Sequence, residues 1–379
     1  MIEQDRRKQS AMTTISQPKI RDFTRPAQGL EVEVASHPAT DLMLTLMAFD
    51  WEDLTDYDLG QAWFDDVRDK VTESTWKAIE ATTRNQSKIW FGYFHLIAGG
   101  PEGESVEDFL RRLDRTDAFE IRRGLVEQMI DRSVVDSDTA LAAAQGDEDS
   151  ITAVVGCCKD LAAIADDLQA LLRRDVEEAK SDLIRALRGF HEEVFHSVEA
   201  QFAGSIERDA RAKRAMIATM SPERVIEEAT NGISIEPGSG VRSVLLVPSI
   251  VMRPWVLILE QAETRVFVYP IADEHMTADC DAPSPWIVKT YKALSDEKRI
   301  RVLRRLAAGP ASFQELVEYL DVAKSTVHHH LRVLRSARLV RVSLGADKEY
   351  SLRTGVIGEA AKALEEFVEA GAVRPKETN

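Results

Sequence analysis

Cysteine is nearly absent: 3 in 379 residues, with Cys157 beside Cys158 and Cys280 far away. That usage excludes a disulfide framework and suits a reducing compartment, so a cytoplasmic protein is expected. Long apolar runs are also missing. Arg6, Arg7 and Lys8 precede no apolar stretch, which excludes a signal peptide and leaves residues 1–28 as an expected disordered tail. The most apolar segment, Val244–Leu259, is broken by Pro248 and by Arg253-Pro254, which suits buried strands and excludes a membrane span. Positive charge is in deficit, with 48 Lys/Arg against 64 Asp/Glu and a net charge of −16. Taken over the whole chain, that balance argues against nucleic acid. Catalytic signatures are lacking too: there is no P-loop, no dinucleotide fingerprint and no GxSxG elbow, so no enzyme is expected.

What is present is a change of hydrophobic period along the chain. From about Leu30 to Met220 the apolar residues recur at helical spacing. Helices are predicted at Val106–Leu113 and Ile121–Ile130, and an exposed loop over 136–150 around Gly146-Asp147-Glu148-Asp149. The longest stripe runs Leu161, Ile164, Leu168, Leu172, Val176, Leu183, Leu187, Phe190, Val194, Val198, Phe202, Ile206. It predicts one long helix, or two meeting near Gly189 or Gly204. Between 232 and 271 the runs shorten to Ile233–Ile235, Val241–Val247, Val256–Leu259 and Val266–Tyr269, which read as a small antiparallel meander. Thr277–Pro285 is then a linker.

Three features of this region invite chemistry and have plainer explanations. His191 and His196 flank Glu192-Glu193 as in a zinc hydrolase, but they stand five positions apart rather than four, so on an α-helix they miss a common face. They are read as a solvated helix edge. Cys157-Cys158 sits in an Ala/Val-rich context and is read as small buried residues. Trp63, Trp76, Trp90, Phe91, Tyr93 and Phe94 are read as core.

Residues 286–353 differ from the rest. They hold fourteen Lys/Arg and seven Asp/Glu, a net +7, which leaves −23 elsewhere. Charges are screened over about 8 Å at physiological salt, so a phosphate backbone responds to such a patch rather than to the whole chain. Ile300, Leu303 and Leu306 mark a helix that stops at Gly309-Pro310. Ser312 and Glu315 form a capping box opening a second helix, with Phe313, Leu316, Val317 and Leu320. After Asp321-Val322-Ala323, a third helix carries Val327, Leu331 and Leu334 on its inner face. Leu339–Leu344 and Glu349–Leu352 alternate around Gly345-Ala346-Asp347 as a hairpin. Three helices and a hairpin in this order make a winged helix-turn-helix, whose third helix enters the DNA major groove.

The blocks LSDEKRIRVLRRLAAGP, STVHHHLRVL and LVRVSLGADKEYSL resemble the ArsR-type winged-helix regulators over roughly residues 286–370. The resemblance implies a homodimeric regulator of transcription, usually a repressor, that binds double-stranded DNA. It places dimerisation on the flanking helices, at Trp286, Ile287 and Tyr291 and at Ile357, Leu364 and Phe367. The family's metal-sensing sites do not carry over, because SFQELVEYLDV lacks Cys and the last helix lacks both Cys and His. No metal or cofactor is therefore expected, and a small-molecule effector is left open.

On the third helix, Ser325, Thr326, His328 and His329 are the candidate base readers. Lys324, Arg332, Arg335, Arg341 and Lys348 are candidates for phosphate. His328-His329-His330 cannot converge on one ion, since neighbouring helix residues point about 100° apart. His330 is read as a packed, hydrogen-bonded core residue. The expected fold is mainly α with small β: a helical domain over 29–276, the linker 277–285, the winged helix over 286–371 and a tail 372–379. The alternatives are a winged helix that serves protein interaction, and an N-terminal enzyme with a DNA-binding appendage.

Overall fold

The computed structural model describes residues 30–49, 54, 57–98, 100–130, 134–157, 164–235, 240–261, 264–276, 283–344 and 348–372. The expected tail 1–28, all of the expected tail 372–379 except Ala372, most of the linker, Cys158 and the hairpin tip 345–347 lie outside them.

Strand β1 (Glu31–Val34) is followed by a run of short helices: α1 (Pro38–Ala48), α2 (Gly60–Asp69), α3 (Glu73–Thr83), α4 (Ser87–Tyr93), α5 (His95–Ala98), α6 (Val106–Arg115) and α7 (Ala118–Met129). The predicted loop over 136–150 is instead a helical hairpin, α8 (Ser137–Gln145) and α9 (Glu148–Gly156). Its polar residues are capping signals rather than loop signals. Asp136 and Asp147 accept the Thr139 and Ser150 amides, each at 2.8 Å, and Gly146 closes α8 with φ of 95°.

The long apolar stripe divides first where none was expected, between α10 (Ala165–Leu172) and Val176, because Asp175 caps a new helix by accepting the Glu177 and Glu178 amides. The remainder forms one continuous rod. It consists of α11 (Val176–Phe190), a π-turn (His191–Phe195) and α12 (His196–Ile217). The π-turn falls beside Gly189, one of the two predicted meeting points. Gly189 is needed there because a Cβ would lie 2.4 Å from the Thr75 hydroxyl of α3. Glu193, within the π-turn, accepts hydrogen bonds from the Thr72 amide (2.9 Å) and from the Thr72 and Thr75 hydroxyls (2.7 Å each). Close packing at Gly189 and this anchor at Glu193, both against Thr72–Thr75, hold the wider turn in place.

Helix α13 (Pro222–Ala229) leads into β2 (Ile233–Ile235), β3 (Ser243–Ser249), β4 (Leu257–Gln261) and β5 (Thr264–Pro270). The expected antiparallel meander is not what forms. One sheet runs β1-β3-β5-β4, with β1, β3 and β5 mutually parallel and only β4 antiparallel to β5. Strand β2 leaves it altogether and joins the winged helix. The reason is double burial. Val266 and Val268 pack into the large helical core, while Phe267 and Tyr269 pack on the opposite face with Val225, Ile226 and Ala210. Strands covered on both faces read as unbroken apolar runs and commonly pair in parallel. The aromatics Trp90, Tyr93 and Phe94 are buried in the large core, with Trp63, Trp76 and Phe91 partly buried against it.

Asp41 lies within this core at 2% exposure, accepting from the Ser249 hydroxyl and the Ile250 amide (3.2 Å). Burial pushes its carboxyl from 3.8 up to about 6, against the downward pull of those hydrogen bonds. A raised folded value favours the protonated form. This contribution to stability is therefore complete below 3.8 and lost as pH rises through about 6. Asp41→Asn is expected to gain on the wild type by up to ~3 kcal/mol between about pH 4 and about pH 8. Denaturant melts across that range would show it, and a pH-independent difference would refute it.

The chain ends with α14 (Pro285–Leu294), α15 (Glu297–Ala307), β6 (Ala311–Ser312), α16 (Phe313–Leu320), α17 (Lys324–Ser336), β7 (Val340–Leu344), β8 (Lys348–Leu352) and α18 (Val356–Ala372). This is the winged helix, with its own core of Val302, Leu303, Leu306, Leu316, Val327, Leu331, Leu334 and Tyr350. Ile300, expected on the inner stripe, is 50% exposed, and Val302 takes that place. The winged-helix sheet runs β2-β7-β8-β6. No helix among the described residues is long and apolar enough to cross a membrane.

Candidate nucleic-acid interface

Helix α16 begins where the capping box dictates: the Glu315 amide donates to the Ser312 hydroxyl (3.3 Å), and the Ser312 amide donates to the Glu315 carboxylate (2.7 Å). It ends at Asp321 in the left-handed region, φ 51°, where the chain turns into α17. Val327, Leu331 and Leu334, at 2% exposure or less, fasten α17 to the core. Burying each such side chain is worth about 1.5–3 kcal/mol, so the opposite face is presented in a fixed orientation.

That face carries Lys324, Ser325, His328, His329 and Arg332, all exposed, with Thr326 half-buried. The His328 ring packs on Phe313 of α16 at 4.2 Å between centroids, which limits the directions it can take. No side chain caps the start of α17, so its first-turn amides and the positive end of its dipole face outward. His330 is buried, as expected of a core residue, but neither ring nitrogen has a hydrogen-bond partner among the described residues. Burial lowers its pKa, partly offset by Asp296, and this favours the neutral ring.

The phosphate candidates divide. Lys324 and Arg332 lie on the exposed face and Lys348 is exposed on β8. Arg335 is half-buried near Lys348 and Tyr350, where burial lowers its pKa. Arg341 does not face outward for phosphate: it pairs with Glu227 of α13 at 2.7 Å. The reason is strand β2, which adds to the edge of β7 in parallel, pairing Ile233 with Val342, and brings α13 alongside. Gly232 allows this approach, with φ of 107° and the Arg341 side chain 3.1 Å from where a Cβ would stand. Arg353 makes a second tie to Glu228 at 3.2 Å.

The dimerisation candidates divide as well. Tyr291 is 41% and Ile357 50% exposed, while Leu364 and Phe367 are half-buried on α18, which packs against α14. Ile287, at 5% exposure, is already buried within the chain and is not part of an outward face. Trp286 is half-buried against the winged-helix core, with the Arg338 guanidinium 5.5 Å from its ring centre.

Trp286 and Arg338 belong to a junction that pattern reading did not find. Arg253, 3% exposed, donates to the Ile271 carbonyl and to Asp273, and pairs with Asp58 at 2.9 Å. Asp58 also pairs with Lys289 of α14. Asp273 accepts from the Ser284 hydroxyl and the Trp286 amide, each at 3.2 Å. Burial pushes the Asp273 carboxyl up, but Arg338 and Arg253 outweigh it and hold the group below the usual carboxylate range. The N-terminal helices, the central sheet and the winged helix therefore meet at one charged cluster. The signal was the set of charged residues embedded in apolar stretches, Arg253 above all; its partners are too far away in sequence to be inferred.

Residues 296–342 match the family model for bacterial regulatory proteins of the arsR family. The same region is similar to the transcriptional repressor SdpR of Bacillus subtilis, 28% identical over 82 residues, which is 21% of this chain and 91% of that protein. It is 42% identical over 52 residues to the HTH-type transcriptional regulator Rv2034 of Mycobacterium tuberculosis, and 38% identical over 63 residues to a transcriptional repressor SmtB homolog of Synechocystis. Those two matches span 14% and 16% of this chain and about half of each relative, 49% and 48%. The C-terminal module is thus an ArsR-type winged helix-turn-helix, and the matches stop short of the N-terminal region.

Proposed function

We propose that this protein is a sequence-specific DNA-binding regulator of transcription, and a repressor by analogy with its relatives. The observation that carries this is the N-terminal half of α17. It is held rigidly by a buried stripe, starts without a side-chain cap, and presents Lys324, Ser325, His328 and His329 to solvent. Polar side chains at the start of such a helix reach base edges, while cations on the helix and wing hold the phosphates. The acidic remainder repels DNA and favours approach by this face.

The reading includes a homodimer formed through α14 and α18. Val288, Tyr291, Ile357 and Val368 leave 37–62% of their surfaces exposed on these helices, apolar area that a second copy would cover. Two recognition helices about 34–36 Å apart would then read an inverted repeat. The N-terminal region is assigned to sensing rather than catalysis, in a cytoplasmic protein. The charged junction is the route by which a change there would reach the DNA-binding module, and an effector acts only insofar as it favours one arrangement of the two.

The test is fluorescence anisotropy on DNA from the chain's own upstream region, beside a scrambled duplex, at two salt concentrations. His329→Ala is expected to lose about 1–3 kcal/mol, roughly ten- to hundredfold, on the native duplex alone. Lys324→Ala should weaken both duplexes and reduce the salt slope by about 1. Arg341→Ala should leave that slope unchanged, since Glu227 already holds its charge. Equal and weak binding of both duplexes by the wild type would instead favour a protein-interaction module.

A further inference from the structure

A π-turn overturns the geometry assumed for His191 and His196. On a straight α-helix, residues five apart stand about 140° around the axis from each other. Here the His196 amide donates to the His191 carbonyl, the i→i+5 bond of a π-turn, and this brings both side chains to one side of the rod. Their rings lie 5.6 Å apart between centroids, nearly perpendicular. Glu199, a further three residues along α12, completes the group with its carboxylate 3.3 Å from His191 Nε2. One ligand atom from each of the three residues falls within 4.8 Å of the other two.

We propose that His191, His196 and Glu199 form a binding site for a divalent transition metal of borderline softness, with Zn2+ as the reference ion. Two imidazoles and one carboxylate are a donor set suited to such ions and poorly suited to Ca2+ or Mg2+, which take mainly oxygen. With metal–ligand bonds of about 2.0–2.1 Å, the ligand atoms of a tetrahedral site stand roughly 3.3 Å apart. The His191–Glu199 separation already has that value. The remaining closure is a rotation of His196, whose side chain is exposed and free to turn, whereas His191 is fixed by burial.

The three residues supply three ligands and leave a fourth position. His191 and His196 line a surface cleft of about 460 Å³, with Glu107, Arg111, Arg188 and Glu192 among its other walls, while Glu199 borders a neighbouring cleft. The cleft carries two arginines and two glutamates, so its walls have no net charge, and water is the expected fourth ligand. An extra residue in a helix costs hydrogen-bond geometry, and such turns recur where side chains must be brought together for a site. Glu193 points to the other side of the rod and is fully engaged by Thr72 and Thr75, so it anchors the turn without competing for the metal.

The test uses the full-length chain freed of metal with a chelator, titrated with Co2+ and followed by its visible ligand-field absorption. Zn2+ is then added to displace it. One equivalent of Co2+ with a spectrum typical of four- or five-coordination is expected, abolished by Zn2+. His196→Ala should weaken binding by more than the about 100-fold lost on removing an outer-shell partner, and Glu199→Gln by a comparable factor. Circular dichroism melts should be unchanged in His196→Ala, whose side chain is exposed. The His328→Ala/His329→Ala variant should keep the full equivalent, because those residues belong to the DNA face. Absence of a bound equivalent in the wild type, or binding that survives His196→Ala while disappearing with His328→Ala/His329→Ala, overturns the proposal. Neither result bears on whether the chain binds DNA.

Discussion

Arg253→Ala is expected to lower the unfolding free energy by about 3–5 kcal/mol, the range for breaking a buried ion-pair cluster by removing one member. The guanidinium is 3% exposed and engages Asp58, Asp273 and the Ile271 carbonyl at once. Its removal takes one counter-charge from each of two carboxylates whose own side chains are only 10% and 16% exposed, leaving Asp58 with Lys289 and Asp273 with Arg338. By contrast, breaking Lys77–Glu73, with 72% and 84% of those side chains in solvent, should cost no more than about 0.5 kcal/mol. Urea denaturation of both variants makes the comparison. A loss below 1 kcal/mol for Arg253→Ala would mean that water reaches the cluster and the charges are not desolvated. The variant should also split the melt into two steps, since Asp273 and Asp58 tether α14 and its winged helix to the N-terminal region.

Leu331→Ala should cost about 2–5 kcal/mol, the range for truncating a large aliphatic side chain in a packed core. Leu331 is 2% exposed and lies on the face of α17 opposite the DNA candidates. It touches no DNA in the proposed mode, yet binding to native and scrambled duplexes should fall together as α17 loses its seat. His329→Ala differs, because it should lose preference for the native duplex without loss of stability. A Leu331→Ala protein that retained wild-type stability would place α17 outside the cooperative core and remove the basis for a rigid reading head.

The winged helix was legible because each of its signals is local. The capping box spans Ser312 to Glu315, the buried stripe spans Val327 to Leu334, and the hairpin pairs Val340 with Leu352 only twelve residues away. The readings that went astray there concern the outer surfaces of the elements. Arg341 resembles any other wing cation until β2 and α13 are laid beside it. Ile287 reads as part of an amphipathic face but is already buried within the chain. Farther upstream, the polar run 136–150 mixes cap residues with helix interior, and a rule that equates polarity with loops cannot separate them.

His191 and His196 illustrate a different failure. Their spacing was read correctly and the helix was assigned correctly, but the conclusion depended on 3.6 residues per turn. Close packing of Gly189 against Thr75, more than a hundred residues earlier, and the anchoring of Glu193 accompany a wider turn at that point. A helix's pitch is a local property that a distant segment can change.

By itself the sequence determined that a long acidic region is mainly helical, that Ser312 opens a capped helix, and that a basic three-helix module with a hairpin follows that region. Those outcomes depend on propensities, caps and periodicities acting over a few residues. Tertiary structure alone decided that β1 lies in parallel beside β3, more than two hundred residues later, that β2 crosses to the winged-helix sheet, and that Asp58, Arg253, Asp273 and Arg338 share one buried cluster. Strand partners and ion pairs are chosen by burial and charge compensation among segments that meet only in the folded chain. No local pattern records that choice.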